Sequence, residues 1–481
     1  MPIARLLPAL FATLMLLAGC ATTGGSRDAA AAHAVILLQN NGLLRDPELQ
    51  TYVESVAERV LAVAPEIGPS ASIYLLDTER ANAFVTEFGG IYVTRGLLGM
   101  ANSEAELAAV LAHEAAHLVA GHPAARDVEL DRVDAELAAR LPTEGPFGLG
   151  TAEREAAIAA GREVIGGLAA FSRAQELEAD AVGLELLIAA GYEADAMSDF
   201  ILAMIGQARF DAEVAGRKFD PARVDFLASH PAGAERLSVV RSAAARAPDG
   251  LIARAAHLEA INGLTWGPTG INGLIAGNRW IDRRTGLSIT APRGMSLGVS
   301  DWVVQAAAPD GRFIEFTRTR SRGADPVTLI EEVVIPSLAD EFPDTVARMP
   351  VSRRIGVRPV AWVDQVLPTM AGPATMRVAL VAQGREILQF IMIAPPGAPR
   401  GVLEAMTAET IESITIVPPA ERSGLSPTRI RIVDVTAGDR IADFVALMPQ
   451  EPMAQARFLA LNNLEPGARL VPGTQLKVLR R

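Results

Sequence analysis

The 481-residue chain has one cysteine, Cys20, so no disulfide can form within it, and it has only six histidines. It also lacks any block of basic residues or basic-aromatic cluster: 44 Lys and Arg are mixed among 56 Asp and Glu, which argues against a nucleic-acid partner. The leading apolar run, Ala9–Ala18, is about ten residues long and too short to span a bilayer. The chain as a whole is half apolar and 21% charged, the balance of a globular chain with room for roughly two to four domains.

The short run has the form of a secretory signal, with Arg5 ahead of it. It ends in Leu17-Ala18-Gly19-Cys20, which resembles a bacterial lipobox and implies cleavage before Cys20 and acylation of that residue. Lipidation accounts for the lone cysteine. Ala21 stands where an aspartate favours inner-membrane retention, so the expected anchorage is a lipid in the outer membrane, facing the periplasm. Residues 1–19 then form the signal peptide and residues 20–33 a flexible tether.

Three of the six histidines fall in one stretch, Ala108 to His122, which contains His113-Glu114-x-x-His117 within a helical pattern. Histidines four apart lie one turn apart on one helix face, where both imidazoles can reach a single zinc ion. Glu114 can sit beside the open position and take a proton from water. The flanking Leu107, Val110, Leu111, Leu118 and Val119 are apolar, and a helix buried this way carries histidines and a glutamate only at a cost. Ser103 and Glu106 form a capping-box pattern at its start. His122 lies about 140° round a continuous helix from His117 and reads as a helix-end residue.

Catalytic zinc usually takes three protein ligands. In Phe171 to Gly183, Glu176, Asp180 and Gly183 share one helix face and Glu178 points roughly opposite. Glu176 can complete a two-histidine, one-glutamate set, and Asp180 can accept a hydrogen bond from the far nitrogen of a ligating histidine. Gly183 permits close helix approach.

These motifs, together with Asn82-Ala83-Phe84 and the run Gly90 to Leu98, resemble peptidase family M48 over about residues 35 to 245. The resemblance implies a mainly helical gluzincin fold with a small edge sheet. It further implies one Zn2+ held by His113, His117 and Glu176, with Glu114 as general base. Protein or peptide substrates, such as misassembled envelope proteins, follow from the same resemblance. Strands at Ser72–Leu76 and around Gly90–Thr94 can offer an edge to an extended peptide or form a plain core hairpin. Ser229-His230-Pro231 and Arg236 also match: His230 is expected either to hold the site latent or to assist catalysis, and Arg236 to pair with a carboxylate such as Asp180.

The remainder is read as an α+β multidomain arrangement. Residues 34–250 make the metallopeptidase domain, 251–417 an α+β accessory domain with a mainly antiparallel sheet, and 418–427 a linker. Residues 428–481 resemble a LysM module of βααβ form, which implies a hold on peptidoglycan. The competing expectation is a latent envelope assembly or peptidoglycan-binding factor that acts without proteolysis.

Overall fold

The computed structural model describes residues 29–67, 71–126, 128–130, 132, 172–214, 218–219, 225–226, 230–231, 234–270, 273–299, 304–321, 323–342, 347–369, 372–422, 425–449 and 453–481. The signal segment, Cys20 and most of the tether lie outside these residues. The part of the tether that is described is helical: the alanine run has high helix propensity, and a helix occupies Ala29–Gln39. No helix among the described residues is long and apolar enough to cross a membrane.

The chain is α+β and divides into two compact units. The first comprises Ser26–Gly267 together with Thr428–Arg481. Its helix Pro47–Leu61 starts where Asp46 accepts from Leu49 N at 3.1 Å and Pro47 needs no hydrogen bond. Ser72–Leu76 runs parallel to Gly90–Thr94, and Ala83–Val85 pairs antiparallel on the other side. Ala83–Val85 is thus an edge strand, and among the described residues no further strand pairs with it.

The motif helix, Glu104–Val119, follows Ser103, whose side chain accepts from Glu106 N at 3.1 Å. The reciprocal bond expected of a capping box reaches one residue further back, from Asn102 N to Glu106 Oε2 at 2.9 Å. Every residue from Glu104 to His117 is buried. Alanines at 105, 108, 109, 112, 115 and 116 let neighbouring elements close on the helix from all sides.

The expected domain break near residue 250 falls inside this unit. Leu258 and Ile261 are fully buried in the same core as Leu107 and Leu111. His257 is also fully buried, with its ring between Tyr52 Oη at 3.2 Å and Leu98 O at 3.1 Å. The C-terminal segment joins the same core. It consists of strand Arg429–Asp434, helices Ile441–Val445 and Ala454–Leu461, and strand Gln475–Arg480, with the two strands antiparallel. Ile430, Phe458, Leu476 and Val478 pack in one cluster with the motif helix. Lys477, fully buried, donates Nζ to the carbonyls of Gly99 at 3.0 Å and of Met100 and Ala101 at 2.9 Å each.

The second unit, Pro268–Pro427, holds an antiparallel seven-stranded sheet. Its central hairpins join Arg358–Thr369, Gly372–Gln383 and Glu386–Ala394. Alternation along Gly372–Gln383 buries Met376, Val378 and Leu380 on one face and Ala379 and Val381 on the other, so both faces are covered. Helix Val402–Glu412 packs on one face. On the other lies the helical stretch from Pro326 to Glu341, with a π-turn at Ile330–Val334. Pro336, which has no N–H to give to the previous turn, accounts for the change in helix pitch there. The expected linker is partly docked: helix Pro419–Arg422 places Arg422 against the carbonyls of Arg283 and Arg284, at 3.1 and 2.8 Å.

Candidate metal centre

Three side chains converge between the motif helix and the helix spanning 172–189. His113 Nε2 lies 3.1 Å from His117 Nε2 and 3.4 Å from Glu176 Oε2, and His117 Nε2 lies 3.4 Å from Glu176 Oε1. All three residues are buried, and among the described residues they are the one cluster with metal-ligand geometry. Zinc–ligand bonds of about 2.0–2.1 Å in a tetrahedron put neighbouring donor atoms about 3.3–3.4 Å apart. The observed triangle fits that spacing. Two imidazole nitrogens and a carboxylate facing one another at this distance repel unless a proton or a metal cation lies between them.

The surrounding charge points the same way. Glu114, Glu176 and Asp180 are 1–3% exposed and, among the described residues, face one guanidinium, Arg236, an imbalance that a divalent cation neutralises. Arg236, from helix Ala234–Ala244, clasps Asp180 with Nε and Nη2, each at 2.6 Å, and reaches Glu176 with Nη1 at 2.8 Å. Asp180 Oδ1 lies 3.1 Å from His113 Nδ1, where it favours the tautomer whose lone pair is on Nε2. Burial by itself would raise Asp180, yet the bonds from Arg236 and His113 hold its carboxyl below the ordinary value. Burial would likewise lower His113, but Asp180 and Glu176 outweigh it and raise the imidazole. The cluster attracts positive charge.

Gly183 explains how the two helices come so close. A Cβ there would stand 3.0 Å from His113 Cα and 3.1 Å from its nitrogen. Glu114, with His113, Asp180 and Arg236, lines a small cavity whose far wall is Met197, Phe200, Ile201 and Met204. His230 lies in a two-residue strand whose backbone pairs with Phe226; its side chain is outside the description.

Two residues were missed by reasoning from spacing. His122 Nδ1 lies 2.9 Å from His117 Nδ1, and His122 Nε2 lies 3.3 Å from Glu178 Oε2. A helical wheel carried through position 122 fails because the helix ends first: Ala120 is its C-cap and Gly121 has φ +68°. The chain turns at Gly121 and His122 folds back over His117. The glycine directly before His122 was the available signal.

Residues 43–244 match the sequence model described as Peptidase family M48. The mitochondrial metalloendopeptidase OMA1 of Schizosaccharomyces pombe is 41% identical over 73 residues, 15% of this chain and 22% of that protein. The beta-barrel assembly-enhancing protease of Yersinia pestis is 32% identical over 91 residues, 19% of each chain. The protein of that name from Escherichia coli strain K12 is 28% identical over 208 residues, 42% of this chain and 40% of its own. Each match thus spans less than half of the relative's length. The motifs and the converging donors agree with that match: residues 43–244 are similar to peptidase family M48.

Proposed function

We propose that this protein is a zinc-dependent endopeptidase, with His113, His117 and Glu176 as metal ligands. The observation that carries this reading is the donor triangle of 3.1–3.4 Å, held beside a buried glutamate one residue from a ligand. A bound zinc ion supplies Lewis-acid polarisation of the scissile carbonyl and acidifies water. Glu114 accepts the proton of the attacking water on its carboxylate and passes it to the leaving amine. Asp180 orients His113, and Arg236 fixes Asp180 and Glu176 through its bidentate fork. The edge strand Ala83–Val85 aligns an extended substrate by backbone hydrogen bonds, which accepts varied sequences.

The protein is read as lipid-anchored through Cys20 and periplasmic, at the outer membrane. Misassembled envelope proteins are its substrates, in keeping with the names of the bacterial relatives. The C-terminal βααβ segment is read as a LysM-like contact to peptidoglycan, supported by the exposure of its turns at Thr436–Gly438 and Glu465–Gly467.

The test is cleavage of casein and of unfolded outer-membrane proteins by the wild type, set against Glu114→Gln. Loss of cleavage with zinc retained supports the assignment. Equal cleavage by both forms overturns it. His230→Ala reports the role of that residue: a rise in activity identifies an occluding group, and a fall identifies one that stabilises the reacting state. If neither form cleaves after His230 is removed, the chain acts as a non-proteolytic envelope factor.

A further inference from the structure

We propose that His122, backed by Glu178, is a positioning residue that sets the tautomer and ring orientation of His117. The inference rests on the zinc reading above and assigns a role to a pair of residues outside the donor triangle.

The argument is one of proton placement. His117 presents Nε2 to His113 and Glu176, and as a ligand it must carry its lone pair there. In a neutral imidazole the proton then sits on Nδ1. That atom faces His122 Nδ1 at 2.9 Å, so His122 accepts with the Nδ1 lone pair and its own proton is on Nε2. Nε2 in turn points at Glu178 Oε2, 3.3 Å away, which accepts. One constraint at the metal therefore fixes every proton along the relay.

The two ligating imidazoles are thus oriented by different means. His113 is held by a buried carboxylate, Asp180, directly. His117 is held by a second imidazole, whose side chain is 8% exposed, and only through it by a carboxylate whose side chain is 61% exposed. His122 touches the far nitrogen of His117, so it is not a fourth ligand. Gly121, at φ +68°, provides the turn that makes the contact possible.

The experiment measures zinc affinity of the full-length protein by competition with a chromophoric chelator, and the visible spectrum of the Co2+ form, for wild type, His122→Leu, His122→Asn and Glu178→Ala. Partners of metal-bound histidines typically account for about 10–100-fold in affinity. His122→Leu is expected to lose affinity in that range and to alter the Co2+ spectrum. His122→Asn recovers most of the loss, because an amide oxygen can stand at the Nδ1 position and accept the same bond. Glu178→Ala, at an exposed carboxylate that does not endanger folding, loses less than about tenfold, yet measurably.

Wild-type affinity in His122→Leu overturns the inference, as does equal loss in the Leu and Asn variants. Should the Leu variant not fold, as judged by circular dichroism of the zinc-free proteins, an unchanged Glu178→Ala overturns it instead. A wild type that binds no zinc is a different result, which removes the zinc reading and this inference with it.

Discussion

Gly183 and His113 touch through their backbones: a methyl group on Gly183 would lie 3.0 Å from His113 Cα. The closeness of two helices is therefore set by the absence of one side chain, and with it the distance between Glu176 on one helix and the two histidines on the other.

Gly183→Ala is expected to push the helices apart, at a cost of about 1–3 kcal/mol for overpacking a tight contact. Both the melting temperature and the zinc affinity fall. A variant that loses stability while binding zinc at wild-type affinity would show that the donor triangle does not depend on this approach.

Arg236 holds two buried carboxylates at once, and breaking such a network by removing one partner costs about 3–5 kcal/mol. Arg236→Met is expected to destabilise the protein on that scale by denaturant unfolding. Arg236→Lys recovers little of it, since an ammonium cannot reproduce the fork. Full recovery by lysine would mean that charge alone matters here.

Burial, with the nearby Lys477 and Arg254 charges, pushes the His257 imidazole down to about 3 from an ordinary 6.5. The unfolded chain takes up a proton at this ring below about pH 6.5, and the folded one does not until about pH 3. Stability from this residue is complete above pH 6.5 and declines as the pH falls, by up to about 1.4 kcal/mol per pH unit. Unfolding free energies measured between pH 7 and 4 are expected to fall more steeply for wild type than for His257→Gln. Parallel slopes would contradict the assignment.

Much of the candidate metal centre is legible in the chain because it depends on local spacing. His113 and His117 are one turn apart, and Glu176 and Asp180 are one turn apart on a second helix. The pairing of Arg236 with Asp180 was expected, and the geometry adds the contact to Glu176. His122 and Glu178 were not legible, because their contact depends on where a helix stops and how the next turn folds back. In the second unit the strand Arg358–Thr369 is harder to read from the chain. It carries Pro359 and Pro368, which sit near its two ends, where missing donors are tolerated. The C-terminal segment read as a separate module because its strands and turns are self-contained in sequence. Its Lys477 is buried against carbonyls from residues 99 to 101, a contact that no local pattern announces.

Removing residues 428–481 is therefore expected to unmake the peptidase unit rather than trim it. The truncated protein should lose the cooperative melting transition of that unit. Lys477→Met, which keeps the bulk but leaves the three carbonyls without their donor, should lower the unfolding free energy by several kcal/mol, at about 1–3 kcal/mol for each buried group left unsatisfied. A truncated chain that melts like the full one would refute this.

The lysine that closes this core is far along the chain from the carbonyls it binds, at residues 99 to 101. During synthesis, His113, His117 and Glu176 are all made long before it. A nascent chain can carry those three side chains and still lack the strand that supports the start of their helix, so the early part of this core waits for a late one.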